Sequence, residues 1–288
     1  MHWLTTRFTI DLAQPRVMGI VNVTPDSFAD GGRHAGTVQA LAHCERLLAE
    51  GAHMLDIGGE STRPGSLAVP LEEELARVLP VVEAALTLGC PISVDTKKPE
   101  VMRAVLALGA DIINDINALQ APQALDVVAA HAGCGVCLMH MHGTPESMQA
   151  QPAYGDVVGE IVAFLRERCE ALAARGVALE RIACDPGIGF GKSPEHNIAL
   201  LRRQRELLAL GRPLLVGWSR KSTLGVITGR DVSQRQAASV AAALAAVQHG
   251  ASIVRVHDVA ATVDAFAVWR AAGLGPWALT GLSGGAQQ

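Results

Sequence analysis

The chain is predicted to be an α/β protein, a single-domain (β/α)8 TIM barrel, on three observations. Eight short apolar segments alternate with eight helical patterns, the repeat that builds a parallel barrel. Seven glycines (Gly51, Gly89, Gly109, Gly133, Gly176, Gly211 and Gly250) each fall just after a helical stretch, where a left-handed C-cap is wanted. Polar clusters follow nearly every apolar segment, at strand exits; a doubly wound sheet would instead gather function at one topological switch point.

Taken in order, strand 17–23 (VMGIVNV) runs into NVTPDSF (22–28), and helix 37–50 stops at Gly51. Strand 53–58 exits into GGESTRPG (58–65), ahead of helix 72–88 and Gly89. Strand 91–95 ends in VDTKK (94–98), and helix 98–108 is closed by Gly109. Strand 111–115 ends in NDINA (114–118), and helix 122–132 by Gly133. Strand 135–140 is followed by helix 156–175 and Gly176. Strand 181–185 opens into DPGIGFGK (185–192), followed by helix 195–210 and Gly211. Strand 213–218 leads to SRKS (219–222), helix 232–249 and Gly250; strand 252–256 ends in RVHD (255–258) before helix 259–272. No linker divides the chain, so residues 1–275 are expected to form the barrel and 276–288, ending GLSGGAQQ, a flexible tail.

Composition fits that fold and narrows the function. Of 288 residues 49% are hydrophobic but only 3% aromatic, so the core is aliphatic, as in parallel sheets. A net charge of -4 and a pI near 6.2 argue against a general nucleic-acid or membrane-surface binder. Mean hydropathy is +0.26, yet the longest apolar run, 237–247, stops at Gln248 and His249, too short to span a bilayer. MHWLTTRF lacks the charged and apolar regions of an export signal, so a cytoplasmic enzyme is expected. Six scattered cysteines then read as reduced thiols. Cys134, Cys137, His140 and His142 imitate a zinc spacing, but in a strand Cys134 and His140 lie about 20 Å apart, so no zinc site is expected there.

Two other motifs fail on spacing. GIGFGKS (187–193) has three residues between Gly187 and Gly191 where a P-loop has four, and it offers GxGxG where a dinucleotide fingerprint needs GxGxxG. Its glycines are expected to shape a mobile loop.

Asp95, Asn114 and Asp185 end the third, fourth and sixth strands, and Lys221 follows the seventh. Any one of these carboxylates also suits a helix N-cap or a turn. Together, acids and an amide match the donor and acceptor edge of a guanine-like or pterin-like ring. A second set, Arg63, Arg220, Lys221, Arg255 and His257, suggests an anionic group such as phosphate, unless the arginines pair with acids such as Glu60 or Asp258. Asn22 adds a neutral oxygen suited to Mg²⁺ held mainly by phosphate and water. Ser222 reads either as a simple N-cap or as part of a helix start that receives a carboxylate. Phe28 and Phe190, scarce aromatics on glycine-rich loops, are expected to pack on substrate.

These motifs resemble dihydropteroate synthase. MGIVNVTPDSFADGG (18–32), LDIGGESTRPG (55–65), ISVDTKKPEV (92–101), ADIINDI (110–116), LMHMHGTPESMQ (138–149), DPGIGFGKSPEHN (185–197), GWSRKS (217–222) and RVHDV (255–259) have that family's form and order. The resemblance implies a folate-synthesis transferase that joins 6-hydroxymethyl-7,8-dihydropterin diphosphate to 4-aminobenzoate, with sulfonamides mimicking the latter. It implies that Asp95, Asn114, Asp185 and Lys221 hold the pterin, and that Asn22, Arg63, Arg255 and His257 hold the diphosphate with Mg²⁺ near Asn22. Thr62, Arg63, Pro64, Phe28, Phe190, Lys221 and Ser222 would frame the aminobenzoate, and Asp30 would ride on the mobile first loop. Asp95, Arg63, Lys221 and Asp30 are the implied catalytic groups, aiding departure of diphosphate from a cation-like pterin. A homodimer through the later helices is also implied. Asn117 and Ala118 depart from the family pattern in the fourth loop, and Trp218 is expected to repack the mouth. A barrel that transfers methyl groups from a pterin to a corrinoid, and a non-catalytic pterin-binding paralogue, are the alternatives.

Overall fold

Residues 1–24, 32–63, 65–148 and 152–275 are described by the structure, a computed structural model. The parallel strands are β3 (Arg16–Asn22), β4 (Met54–Gly58), β5 (Ile92–Asp95), β6 (Ile112–Asp115), β7 (Gly135–Met139), β8 (Ile182–Asp185), β9 (Leu215–Val216) and β10 (Ile253–Val256). They pair in the order β8-β7-β6-β5-β4-β3-β10-β9, and a parallel bridge from Cys184 to Leu214 closes the ring between β8 and β9. The (β/α)8 barrel read from the sequence is therefore the fold. Among the described residues no helix is long and apolar enough to cross a membrane.

A strand's period of two sorts the side chains into layers. Inward residues Met18, Met54, Ile112, Cys137, Ala183, Leu215 and Ile253 form the lower core of the barrel. Their outward neighbours, among them Val17, Leu55, Ile113, Val136, Cys184 and Val254, pack under the helices. Cys134 and Cys137 thus sit in different cores.

An antiparallel hairpin, β1 (His2–Leu4) with β2 (Thr9–Asp11), closes the end where the strands begin. Trp3 is fully buried in the lower core and its indole N–H donates to the Arg181 carbonyl at 2.9 Å. Arg7 straps the hairpin down, with Nη2 on Asp111 Oδ2 at 2.7 Å and Nη1 on the Leu86 carbonyl at 2.9 Å. Strands of three residues carry too few positions for a period of two to show in the sequence.

The helices are α1 (Gly32–Ala49), α2 (Leu71–Ala85), α3 (Pro99–Leu108), α4 (Ala124–Ala130), α5 (Val157–Ala173), α6 (Pro194–Arg202), α7 (Ser222–Thr228), α8 (Gln236–Gln248) and α9 (Val259–Ala271). Several expected elements are shorter. Strand 213–218 narrows to Leu215–Val216, and helix 195–210 becomes α6 followed by a 3₁₀ segment, Gln204–Leu210. Six of the seven glycines do adopt positive φ. Gly133 does not: α4 ends at extended His131, whose ring accepts from the Gly133 and Cys134 N–H groups. The alanine-rich α8 buries Ser239, Ala242, Ala243, Ala246 and Val247.

Candidate active site

Above the apolar floor the inward residues of four strands, Asp56, Asp95, Asn114 and Arg255, are polar, and they meet. Arg255 donates from Nε to Asp56 Oδ2 at 2.6 Å and from Nη2 to Asp95 Oδ2 at 2.9 Å. Asn114 Nδ2 donates to the same Asp56 oxygen at 3.0 Å. Strand register accounts for this: Gly58 pairs with Asp95, Asp95 with Asn114, and Asn22 with Gly58. Asn22 shares the inward parity of Met18 and Ile20 and is half-buried.

Asp56 is fully buried, and its Oδ1 has no hydrogen-bond partner among the described residues. Burial raises Asp95 to about 7, with Arg255 opposing the shift and Asp56 adding to it. Burial opposes the Arg255 charge too, but Asp56 and Asp95 carry it above the ordinary arginine value. Two carboxylates around one guanidinium leave about one net negative charge under the mouth when both are ionised.

The loop after β8 is pinned, contrary to the mobile loop expected from its glycines. Asp185 Oδ1 accepts from the Gly187 N–H at 2.7 Å, and burial raises that carboxyl to about 6. Lys192, only 2% exposed, donates to the carbonyls of Phe190 (2.9 Å), Gly187 (2.9 Å) and His140 (3.2 Å), with His140 Nδ1 at 3.1 Å. Tyr154 donates to the Gly191 carbonyl at 2.9 Å. Asn197 accepts from the Gly189 N–H at 2.8 Å and donates to Thr223 Oγ1 at 2.9 Å, tying this loop to α7. A Cβ on Gly187 would stand 1.9 Å from the His140 carbonyl oxygen, so glycine here permits close packing against β7.

Across this loop Lys221 Nζ lies 4.2 Å from the centroid of the Phe190 ring. Burial lowers Lys221 to about 8, opposed by Asp185. Ser222 is exposed at the first position of α7.

The rim carries the other cations, not all of them open. Arg220 is bound to Asp258, at 2.6 Å from Nη2 and 3.1 Å from Nε, so for this arginine the pairing alternative holds. His257 Nδ1 lies 2.9 Å from Ser219 Oγ, and burial beside Arg255 and Arg220 lowers the ring to about 3. It is a neutral imidazole near pH 7. Arg63 is exposed, with no ion pair to its side chain among the described residues. Its loop is stapled at the base by Glu60, which binds Lys97 at 2.7 Å, Lys98, and the Val69 N–H at 3.2 Å. Thr62 is half-buried on this loop. Phe28, Asp30 and Pro64 lie outside the described residues, as does the expected tail, 276–288.

Two departures from the family pattern are accommodated away from the mouth. Trp218 is 2% exposed in the core beneath the helices, so it does not repack the mouth as expected; its residue parity turns it outward from the barrel. Ala118 and Leu119 take left-handed φ, and their carbonyls are bound by Arg168 at 2.9 and 3.0 Å.

Asp56, Lys192 and Ser219 were not singled out from the sequence. The first had a readable signal, a lone acid of inward parity in an otherwise apolar strand. Among the described residues no three His, Cys, Asp or Glu side chains gather as a metal site. The mouth offers an amide and acids for a heterocycle edge, an aromatic–ammonium pair beside it, and cationic or neutral donors around the rim.

A family model described as pterin binding enzyme matches residues 18–257. A dihydropteroate synthase of Neisseria meningitidis serogroup C is 53% identical over 276 residues, 94% of this chain and 98% of the relative. Among solved structures, a Xanthomonas albilineans dihydropteroate synthase with 4-aminobenzoic acid superposes with a TM-score of 0.86 at 55% identity, covering 92% of this chain and 94% of that one. A Burkholderia cenocepacia dihydropteroate synthase complexed with 7,8-dihydropteroate gives a TM-score of 0.86 at 52% identity, covering 94% and 96%.

Proposed function

The chain belongs to the dihydropteroate synthase family, and from that premise we propose that it condenses 6-hydroxymethyl-7,8-dihydropterin diphosphate with 4-aminobenzoate to give 7,8-dihydropteroate and diphosphate. The observation that carries the reading is the buried cluster of Asp56, Asp95, Asn114 and Arg255, with Asp185 and Lys221 beside it. In this reading Asp95, Asn114, Asp185 and Lys221 hold the pterin edge. The net negative charge of the Asp56–Arg255–Asp95 triad favours positive charge on the ring as the methylene carbon–oxygen bond breaks. Arg63, His257 and the part of the Arg255 fork not taken by acids receive the diphosphate. His257 serves there as a neutral hydrogen-bond donor or acceptor, because its proton affinity is low.

Thr62, Pro64, Phe28, Phe190 and Ser222 frame the aminobenzoate, whose neutral amine attacks the methylene carbon. The amine's proton leaves with the diphosphate or to water. Asp30 supports the cation-like pterin from the first loop.

Mg²⁺ fits this mouth only as an ion carried mainly by the diphosphate. Asn22 supplies one neutral oxygen, whereas Asp56 Oδ2, Asp95 Oδ2 and Asp185 Oδ1 are engaged with Arg255, Asn114 and Gly187. Bound there, the ion would draw off charge developing on the departing oxygens. We also assign the protein to the cytoplasm, and a homodimer through the later helices, where Val226, Ile227, Val232 and Val268 are exposed.

The test combines pterin diphosphate, 4-aminobenzoate and Mg²⁺ and measures diphosphate release together with dihydropteroate. Equal yields of the two support the reading. Tight pterin binding without product would favour a non-catalytic binder, and methyl transfer to a corrinoid would favour the other alternative. Asn22→Ala should raise the Mg²⁺ concentration needed for half-maximal rate.

A further inference from the structure

We infer that Lys192 is a positioning residue for the second substrate: its ammonium group fixes Phe190, the wall against which the aromatic amine must lie. The inference rests on the activity proposed above and assigns part of its specificity to a side chain that need not touch substrate. An ammonium has three N–H donors. When protonated, Lys192 finds carbonyl acceptors at Phe190, Gly187 and His140 for all three; it is 2% exposed, and burial lowers it to about 7, so all three bonds are made below that pH. The first two acceptors belong to the loop itself and the third to the exit of β7, so one buried charge ties the loop into a closed knot against the barrel.

The position of Phe190 depends on that knot more than the position of Asp185 does. Asp185 ends β8 and is set by register with Met139. Phe190 lies beyond the strand, and its backbone is held by its own N–H to the Gly187 carbonyl at 3.0 Å and its carbonyl to Lys192. The Lys221 ammonium then stands 4.2 Å from the Phe190 ring centroid. Loosening Lys192 should therefore move the aromatic wall while leaving the pterin-binding groups nearly in place, since Lys221 is set on its own loop by its N–H to the Trp218 carbonyl at 3.2 Å.

Lys192→Met and Lys192→Gln provide a graded test, since glutamine keeps two N–H donors and methionine none. Steady-state kinetics should show the KM for 4-aminobenzoate rising about tenfold in Lys192→Met and less in Lys192→Gln, with kcat and the Kd for pterin diphosphate changing no more than about threefold. Combined with Phe190→Ala, Lys192→Met should raise that KM no more than about twofold beyond Phe190→Ala alone, because both act through one ring. Full additivity, an equal loss of pterin affinity, or an unchanged KM would overturn the inference. So would failure of both single variants to fold, which would make Lys192 part of the general framework. If the wild-type protein makes no product, the proposed activity fails first; if it turns over normally and the KM pattern is absent, only this inference fails.

Discussion

Replacing Asp56 with asparagine removes one of two carboxylates that grip Arg255, without changing the shape of the site. The lost contact is a charge-assisted bond of 2.6 Å to a fully buried acid. Such bonds contribute about 1.5–3 kcal/mol, and a neutral amide oxygen that still accepts from Arg255 or Asn114 retains about 1 kcal/mol. The difference, about 0.5–2 kcal/mol, corresponds to a roughly 2- to 30-fold fall in kcat/KM if it is felt in the transition state. A second consequence has a definite sign. Burial is the main cause of the raised Asp95 value, and the Asp56 charge adds to it, so Asp56→Asn should lower Asp95. The acid limb of kcat/KM against pH, measured by diphosphate release at limiting pterin diphosphate, should then move to lower pH. A kcat/KM within twofold of wild type, or a limb moving to higher pH, would refute the triad as the source of both effects.

Lys221→Met should lose pterin affinity and flatten the alkaline limb; wild-type kcat/KM should fall as pH rises through about 8, where Lys221 loses its charge. Gly187→Ala should destabilise far more than Gly229→Ala in thermal melts, since both have positive φ but only the first places a Cβ against backbone, 1.9 Å from the His140 carbonyl. Gly229→Ala should cost only about 1–2 kcal/mol. The lowered His257 contributes stability above its unfolded value of about 6.5, lost as pH falls toward about 3, so the melting difference between wild type and His257→Asn should shift against wild type on acidification. The half-buried ring keeps that shift below the limit of about 1.4 kcal/mol per pH unit.

Much of this architecture was legible because each signal was local. Apolar runs such as VMGIVNV and capping glycines such as Gly51 and Gly250 report on a few neighbouring residues, and so does a polar residue at a strand exit. Contacts between distant strands leave no such trace. Arg220 and Arg255 look alike in sequence, yet one is bound at the rim to Asp258 and the other lies in the mouth between Asp56 and Asp95. Lys192 sat inside a false phosphate motif, and only the fold brings the His140 carbonyl to its ammonium. Asp56 was overlooked because it lies within a strand rather than at its end.

The hairpin closes the end of the barrel where the strands begin and leaves the opposite end to the site. Trp3 and Arg7 anchor it to the starts of the strands, the end away from Asp95, Asn114 and Asp185. Any sequence joined ahead of the exposed Met1 would emerge on the face opposite the mouth. That makes the amino end a natural point of attachment for a surface tether or reporter, leaving the mouth turned outward and accessible to small molecules.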